Sequence, residues 1–409
     1  MAARVHEGWW VVAGVFLVLT VSSGFGFYNL SVYINVLSSA RGFSVSEVSL
    51  AVSLFFVIGG VGGMWVARLI ERHDVRWVMI GGAALGGAAL GVVGHAQALW
   101  QVYVLFTVFG LGNSAISIVT ATTLVTRWFP GSDRAVALSV ASTGLSAGGI
   151  AVTPASARVL NLWGIEAAFP WFGALFFLLV VPVALWVVRG RPPEHARSQG
   201  PAGAEGRPWP YREAVRSRFF LLVTLGFVVC LGVQVGGISH LYNRVDHVSD
   251  YRIAAVAVQV LTVASILGRF AGGWLVTRIA IRPFTLGNLV GQCLGMTLIA
   301  TAQGNAQVLL GAAVLGATVG NLVMLHPLWL ADAFGGYAYA RIFSLSNAVS
   351  VFGIAAGPTV LGVVFDTFGY APAYAVGAGA SVLAFMLMLA AGPRPRLPEP
   401  GDAARRAGH

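Results

Sequence analysis

Apolar residues run through this chain in blocks too long for strands and too continuous for half-exposed helices. A helix needs about 20 residues to cross a hydrocarbon core. Runs of that length fall near residues 9–37, 46–69, 77–97, 99–126, 134–160 and 166–188, then 218–240, 252–276, 283–302, 306–330, 341–365 and 370–391. The polar stretch between the two groups, "RGRPPEHARSQGPAGAEGRPWPYREAVRSR", is rich in Arg, Pro and Gly and reads as a water-exposed linker. The pattern predicts an all-α membrane protein with twelve transmembrane helices in two six-helix bundles. The expected division is a bundle over 1–189, a linker over 190–217, a second bundle over 218–392 and a tail over 393–409.

Composition agrees. Of the 409 residues, 57% are hydrophobic and 10% are charged, whereas a soluble chain carries about 25% charged residues. The lipid bilayer is the expected solvent. The net charge of +10 could point to nucleic acid, but the distribution of the basic residues, all of them arginine, argues against that partner. With the N-terminus placed in the cytoplasm, 20 arginines lie on cytoplasmic segments and four outside (Arg41, Arg158, Arg244 and Arg252), with Arg269 inside a span. This asymmetry satisfies the positive-inside rule and predicts a multi-pass protein of the cell inner membrane with both termini and the linker cytoplasmic. The first apolar run is too long for the core of a signal peptide, so no cleavage is expected. Cys230 and Cys293 both lie in apolar runs, which argues against a disulfide framework.

An internal repeat supports two halves. "ARLIERHDVR" (67–76) and "GWLVTRIAIR" (273–282) share Leu, Arg and Arg at an offset of 206 residues. Both segments resemble the loop signature G-x-L-x-D-R-x-G-x-R of the major facilitator superfamily. The first has Ala67, Glu71 and Asp74 where the signature has Gly, Asp and Gly; the second has Thr277 in place of the acid. "HEGWWVV" (6–12) and "RWFPGSDRAVALSVASTGLSAGG" (127–149) resemble the opening and fifth-helix signatures of the monocarboxylate porter and oxalate–formate antiporter branch. The resemblance implies that Glu71, Arg72, Arg76, Arg278 and Arg282 form a conformational latch between the halves. Plain inside-positive anchoring is the alternative for these residues.

The same resemblance places helices 1, 4, 7 and 10 around a central cavity. Helix 1 carries Ser22, Gly26, Asn29 and Tyr33 on one face by helical spacing, with Tyr28 beside it. Helix 4 carries Asn113, Ser117 and Thr120; helix 7 carries Gln234 and His240; helix 10 carries Asn321, His326 and Trp329. Interhelical hydrogen bonding is the alternative role for each. "GLSAG" (144–148) matches the G-x-S-x-G nucleophile elbow, but that motif needs a strand-to-helix turn. Inside an apolar span it reads as helix packing. No catalytic constellation is found, so an enzyme is not expected, and neither is a cofactor or a metal.

Arg269 is the most unusual residue. It shares a helix face with Thr262, Ser265 and Gly272 and lies about 12 Å of helical rise from the end of its span, which is long for snorkelling. The expected function is secondary active transport of a small organic anion, a monocarboxylate, with Arg269 as the carboxylate anchor. Tyr28, Asn29, Tyr33, Asn113, Ser117, His240 and His326 are the further substrate-site candidates. The antiporters that the chain resembles carry a lysine on helix 11; the matching region here offers only Ser346 and Asn347, so a single cation favours a monoanion. No carboxylate lies deep in a span, so if protons are the coupling ion His240 or His326 is the titrating group. An exporter of larger apolar or aromatic compounds is the alternative, and a membrane-embedded sensor or enzyme the remaining one. A monomer is expected.

Overall fold

The computed structural model describes residues 2–117, 120–121, 124–125, 128–129, 133–187, 210–334 and 336–395, with backbone only at 2–7, 67, 71, 133–136, 139 and 336–341. Most of the predicted linker, the end of the tail and the side chain of Glu71 lie outside the described residues. The described residues form helices and no strands. The first span is α1 (Ala2–Ser23), a π-helical turn (Gly24–Tyr28) and α2 (Leu30–Arg41). Then come α3 (Val45–Arg72), α4 (Val75–Val93), α5 (Leu99–Ser114) and α6 (Asp133–Pro182). After a short α7 (Tyr211–Arg216) come α8 (Arg218–Val248), α9 (Tyr251–Leu275), α10 (Ile281–Ala300), α11 (Asn305–Phe334), α12 (Gly336–Phe368) and α13 (Tyr370–Ala390).

Ten of the described helices are long and apolar enough to cross a membrane. Two further passes complete the predicted twelve. The sequence separates 134–160 from 166–188, and α6 joins these two passes with no loop, folding back at Gly164 (φ 74°), a left-handed conformation that glycine adopts without a Cβ penalty. The fourth pass starts as α5, 16 residues long, and continues into the partly described 115–129.

The two bundles repeat one pairing scheme. In the first, α1 packs on the first limb of α6, α3 on α5, and α4 on the second limb of α6; in the second, α8 packs on α12, α9 on α11, and α10 on α13. Lipid gives apolar helices little reason to associate, so close backbone approach must supply the packing. The "GLSAG" segment supplies it here. A Cβ at Gly144 would strike the Phe16 carbonyl of α1, and one at Gly148 would strike Gly24 and Thr20. The corresponding crossing in the second bundle sets Gly232 and Gly236 of α8 against Gly353 and Gly357 of α12.

Toward the end away from the termini, six hydrogen bonds among the described residues join one bundle to the other. Asn35 Nδ2 donates to Asp246 (3.1 Å), Ser53 and Thr359 share a bond of 2.6 Å, Gln259 Nε2 donates to the Ile150 carbonyl (2.9 Å), and Ser49 meets His240 Nε2 at 3.3 Å. The other two complete a helix. The first four N–H groups of a helix have no partner within it. At the start of α3, Ser44 and Glu47 satisfy each other in a capping box. The remaining two, Val45 N and Ser46 N, donate to the carboxylate of Asp366 on α12 at 3.2 and 2.8 Å. The N-terminus of α3 is therefore finished by the opposite bundle.

This packing has two measurable outcomes. Gly144→Val should destabilise the purified protein by about 1–3 kcal/mol through overpacking, seen as a lower thermal midpoint, whereas Gly379→Ala, with nothing within 4 Å of the added Cβ, should leave the midpoint unchanged. Asp366→Ala should weaken closure of the far end by about 1 kcal/mol, the worth of a lost cap. Spin-label distances between the far ends of α3 and α12 would then show a larger separated population than in the parent protein.

Candidate functional site

The central site is built on α9. Thr262 and Ser265 of that helix are fully buried and Gly272 is buried, so the face they share with Arg269 points into the molecule. Arg269 itself is half-buried and packs on α11 at Gly320, where an added Cβ would lie 3.0 Å from Arg269 Cβ and 3.1 Å from Nε. No hydrogen bond or ion pair satisfies its guanidinium among the described residues. One turn away, the buried Ser265 Oγ also has no partner.

Tyr28 faces this arginine from the first bundle. It ends the π-helical turn, and its hydroxyl reaches the side chains of Thr262 and Ser146, with Arg269 close enough to act on it electrostatically. Thr262 itself donates to the Val258 carbonyl (2.7 Å). Gly149 of α6 lies between the Tyr28 ring and Thr262, where a side chain would collide with both. Arg269, Ser265, Thr262, Tyr28 and Ser146 thus converge inside the spans, on both sides of the junction between bundles. Ser146 and Gly149 escaped selection from the sequence because their segment read as packing; the polar serine within "GLSAG" was the available signal.

The other predicted residues distribute differently. Asn113 accepts a hydrogen bond from Ser22 (2.9 Å) and closes over Gly26, so helices 1 and 4 do meet there. Ser117 donates to the Ser114 carbonyl (2.8 Å). Asn29 donates to Ser156 (2.7 Å) and to the Tyr33 hydroxyl (3.3 Å), while the Tyr33 ring packs against Phe106 and Phe169. The structure thus puts Asn29 and Tyr33 in the core of the first bundle, apart from Arg269.

His240 sits at the bundle junction, with Nε2 2.9 Å from the Pro358 carbonyl and Nδ1 buried without a partner. His326 lies inside the second bundle, stacked on Phe227 (centroids 4.3 Å apart) and bonded to Ser346 Oγ at 2.7 Å, which in turn bonds Thr224 at 2.9 Å. Asn347 is exposed.

Of the latch candidates, Arg278, in the turn after α9, stacks on Trp274 of that helix (3.9 Å to the ring centroid), and Arg282 donates to the Leu389 carbonyl within its own bundle. Arg76 lies 4.0 Å from Asp74, and Arg72 is exposed. The cross-bundle hydrogen bonds of Asn35, Val45, Ser46, Ser49, Ser53 and Gln259 lie toward the other end from these arginines.

Comparison with known proteins agrees with this architecture. The family model of the Major Facilitator Superfamily matches residues 16–305 and 254–409. The chain is 24% identical over 400 residues to the oxalate:formate antiporter of Oxalobacter formigenes, covering 93% of this chain and 90% of that one. It is 22% identical over 401 residues to monocarboxylate transporter 1 of Bos taurus, covering 88% and 80%. Among solved structures, the nucleoside transporter NupG superposes with a TM-score of 0.75 at 12% identity, over 94% of this chain and 98% of that one. A bacterial homolog of the human lysosomal transporter Spinster, in an inward-facing and occupied conformation, superposes with a TM-score of 0.68 at 16% identity, over 93% and 94%. The paired helix scheme, the two bundles and the matched family model lead to one conclusion: this chain belongs to the major facilitator superfamily.

Proposed function

We propose that this protein is a secondary transporter of a small organic anion, a monocarboxylate, which it carries across the inner membrane by alternating access. The observation that carries the reading is the unpaired guanidinium of Arg269 inside its span. An arginine inside a span costs up to roughly 2.5–3.5 kcal/mol on insertion scales, the value at the helix centre. No described carboxylate offsets that cost, whereas a substrate carboxylate would do so through two parallel N–H···O bonds, a geometry suited to guanidinium. Ser265 Oγ and the Tyr28 hydroxyl are placed to meet its remaining oxygens. Two relatives named for oxalate and formate or for monocarboxylates, each aligned over most of this chain, support the substrate class.

On this reading, with the arginine-rich end in the cytoplasm, the six junction bonds are an outer gate and the form is an inward-facing one. Glu71, Arg72, Arg76, Arg278 and Arg282 then become the latch of the opposite state. Proton symport extends the reading, and His240 is the preferred proton-responsive group over His326. It lies at the junction that must part, bonded to the Pro358 carbonyl of α12 and the Ser49 hydroxyl of α3, whereas His326 is bonded wholly within one bundle.

Liposome uptake over a carboxylate panel checks the anchor. Arg269→Gln should weaken half-saturation about 100-fold, the loss of roughly 3 kcal/mol of charge-assisted contact. Arg269→Lys, which keeps the charge and loses the paired geometry, should fall in between. Uptake by Arg269→Gln at near the parent rate, in protein shown to be folded, would rule the anchor out. For the coupling, His240→Gln should abolish the response of uptake to an imposed pH gradient while His326→Gln retains it; the reverse pattern would transfer the role to His326.

A further inference from the structure

Four arginines sit toward the far end of the molecule, and two of them are consumed by its architecture. Arg41 bonds Glu166 (2.9 Å) and the Gly94 carbonyl (2.7 Å). Arg244 caps the C-terminus of α10 through the carbonyls of Ile299, Ala300 and Ala302, at 3.0–3.1 Å. The other two, Arg158 of α6 and Arg252 of α9, come from opposite bundles and line one crevice of about 540 Å³.

The floor of that crevice is closed by Gln259 Nε2 donating to the Ile150 carbonyl, and its walls are apolar, with Pro154 and Leu162 on one side and Val256 on the other. Both arginines are exposed, and Arg158 has no hydrogen bond or ion pair among the described residues. Arg252 is steadied by the Tyr251 hydroxyl (3.2 Å). The acid beside it, Asp250, is occupied as the cap of α9, accepting from the backbone N–H groups of Arg252 and Ile253. The crevice therefore holds two guanidinium groups, one from each bundle, with the Asp250 carboxylate near Arg252 and no described ion pair on Arg158.

The crevice is separate from the central site, since Arg252 and Arg269 are about 25 Å apart along α9. Its level is that of the membrane interface. Trp163, an exposed aromatic of the kind that anchors helices at the headgroup layer, comes directly after Leu162, and Tyr251 opens α9. Cations at headgroup level above an apolar slot match one class of ligand.

We propose that this crevice binds an anionic phospholipid. The phosphate lies between Arg158 and Arg252, and an acyl chain runs along Pro154, Leu162 and Val256. Because each bundle contributes one arginine, the bound headgroup bridges the bundles and favours the form closed at this end; in its absence the like charges oppose closure. Lipid composition then sets the balance between the two facing states without touching the central site.

The test uses the full chain in nanodiscs of phosphatidylcholine with or without phosphatidylglycerol. Retained phosphatidylglycerol is counted by native mass spectrometry, and far-end spin-label distances report closure. Phosphatidylglycerol should bind the parent protein and raise its closed population. Arg158→Gln and Arg252→Gln should each weaken binding about fivefold, and the double variant should lose the closure response. Arg212→Gln, an exposed arginine of α7, removes the same charge elsewhere and should keep both. Val256→Trp keeps both arginines, fills the slot and should also lose the lipid. Binding or closure unchanged in the double variant, equal loss in Arg212→Gln, or retention in Val256→Trp would overturn the proposal. So would inorganic phosphate reproducing the closure response in phosphatidylcholine alone, which would make the site one for free anions.

Discussion

Hydrocarbon gives apolar helices no incentive to adhere, because a lipid tail is as good a neighbour as a leucine. Everything in this fold depends on how that indifference is overcome, and it is overcome differently within the bundles and between them. Within each, glycines let backbones touch, as at Gly144 on Phe16 or Gly232 on Gly353. Between them the described links include small polar side chains and one borrowed helix cap, each worth about a kilocalorie. The first kind of contact is permanent; the second can be exchanged with water whenever that end opens.

The spans were legible in the sequence because twenty apolar residues in a row have few other uses. Polar placement was less so. Equal spacing put Ser22, Gly26, Asn29 and Tyr33 on one face, yet a π-helical turn at Gly24–Tyr28 holds one more residue than the helix around it and rotates α2 relative to α1. Tyr28 is thereby brought to Arg269, while Asn29 and Tyr33 pass into the bundle core. No periodic reading anticipates such a turn. Arg269 needed no register to be noticed, since a permanent charge among apolar residues stands out wherever its helix points.

The latch residues show a different limit. A motif states which groups can meet in some conformation, and this structure is the conformation in which Arg278 and Arg282 are engaged within their own bundle. The groups that do hold the bundles together, Asp366 and Asn35 among them, belong to no local pattern. Asp366 lies 320 residues from the backbone it caps at Ser46.

The borrowed cap of α3 also separates two properties of a carrier. Asp366 is remote from Arg269 in the fold and is aimed at backbone, so it reads nothing about the cargo. Changes among such junction residues alter how long each facing state lasts, while changes around Arg269 alter what is recognised. Turnover and selectivity can therefore drift independently in evolution, and relatives with closely similar binding residues can differ widely in speed.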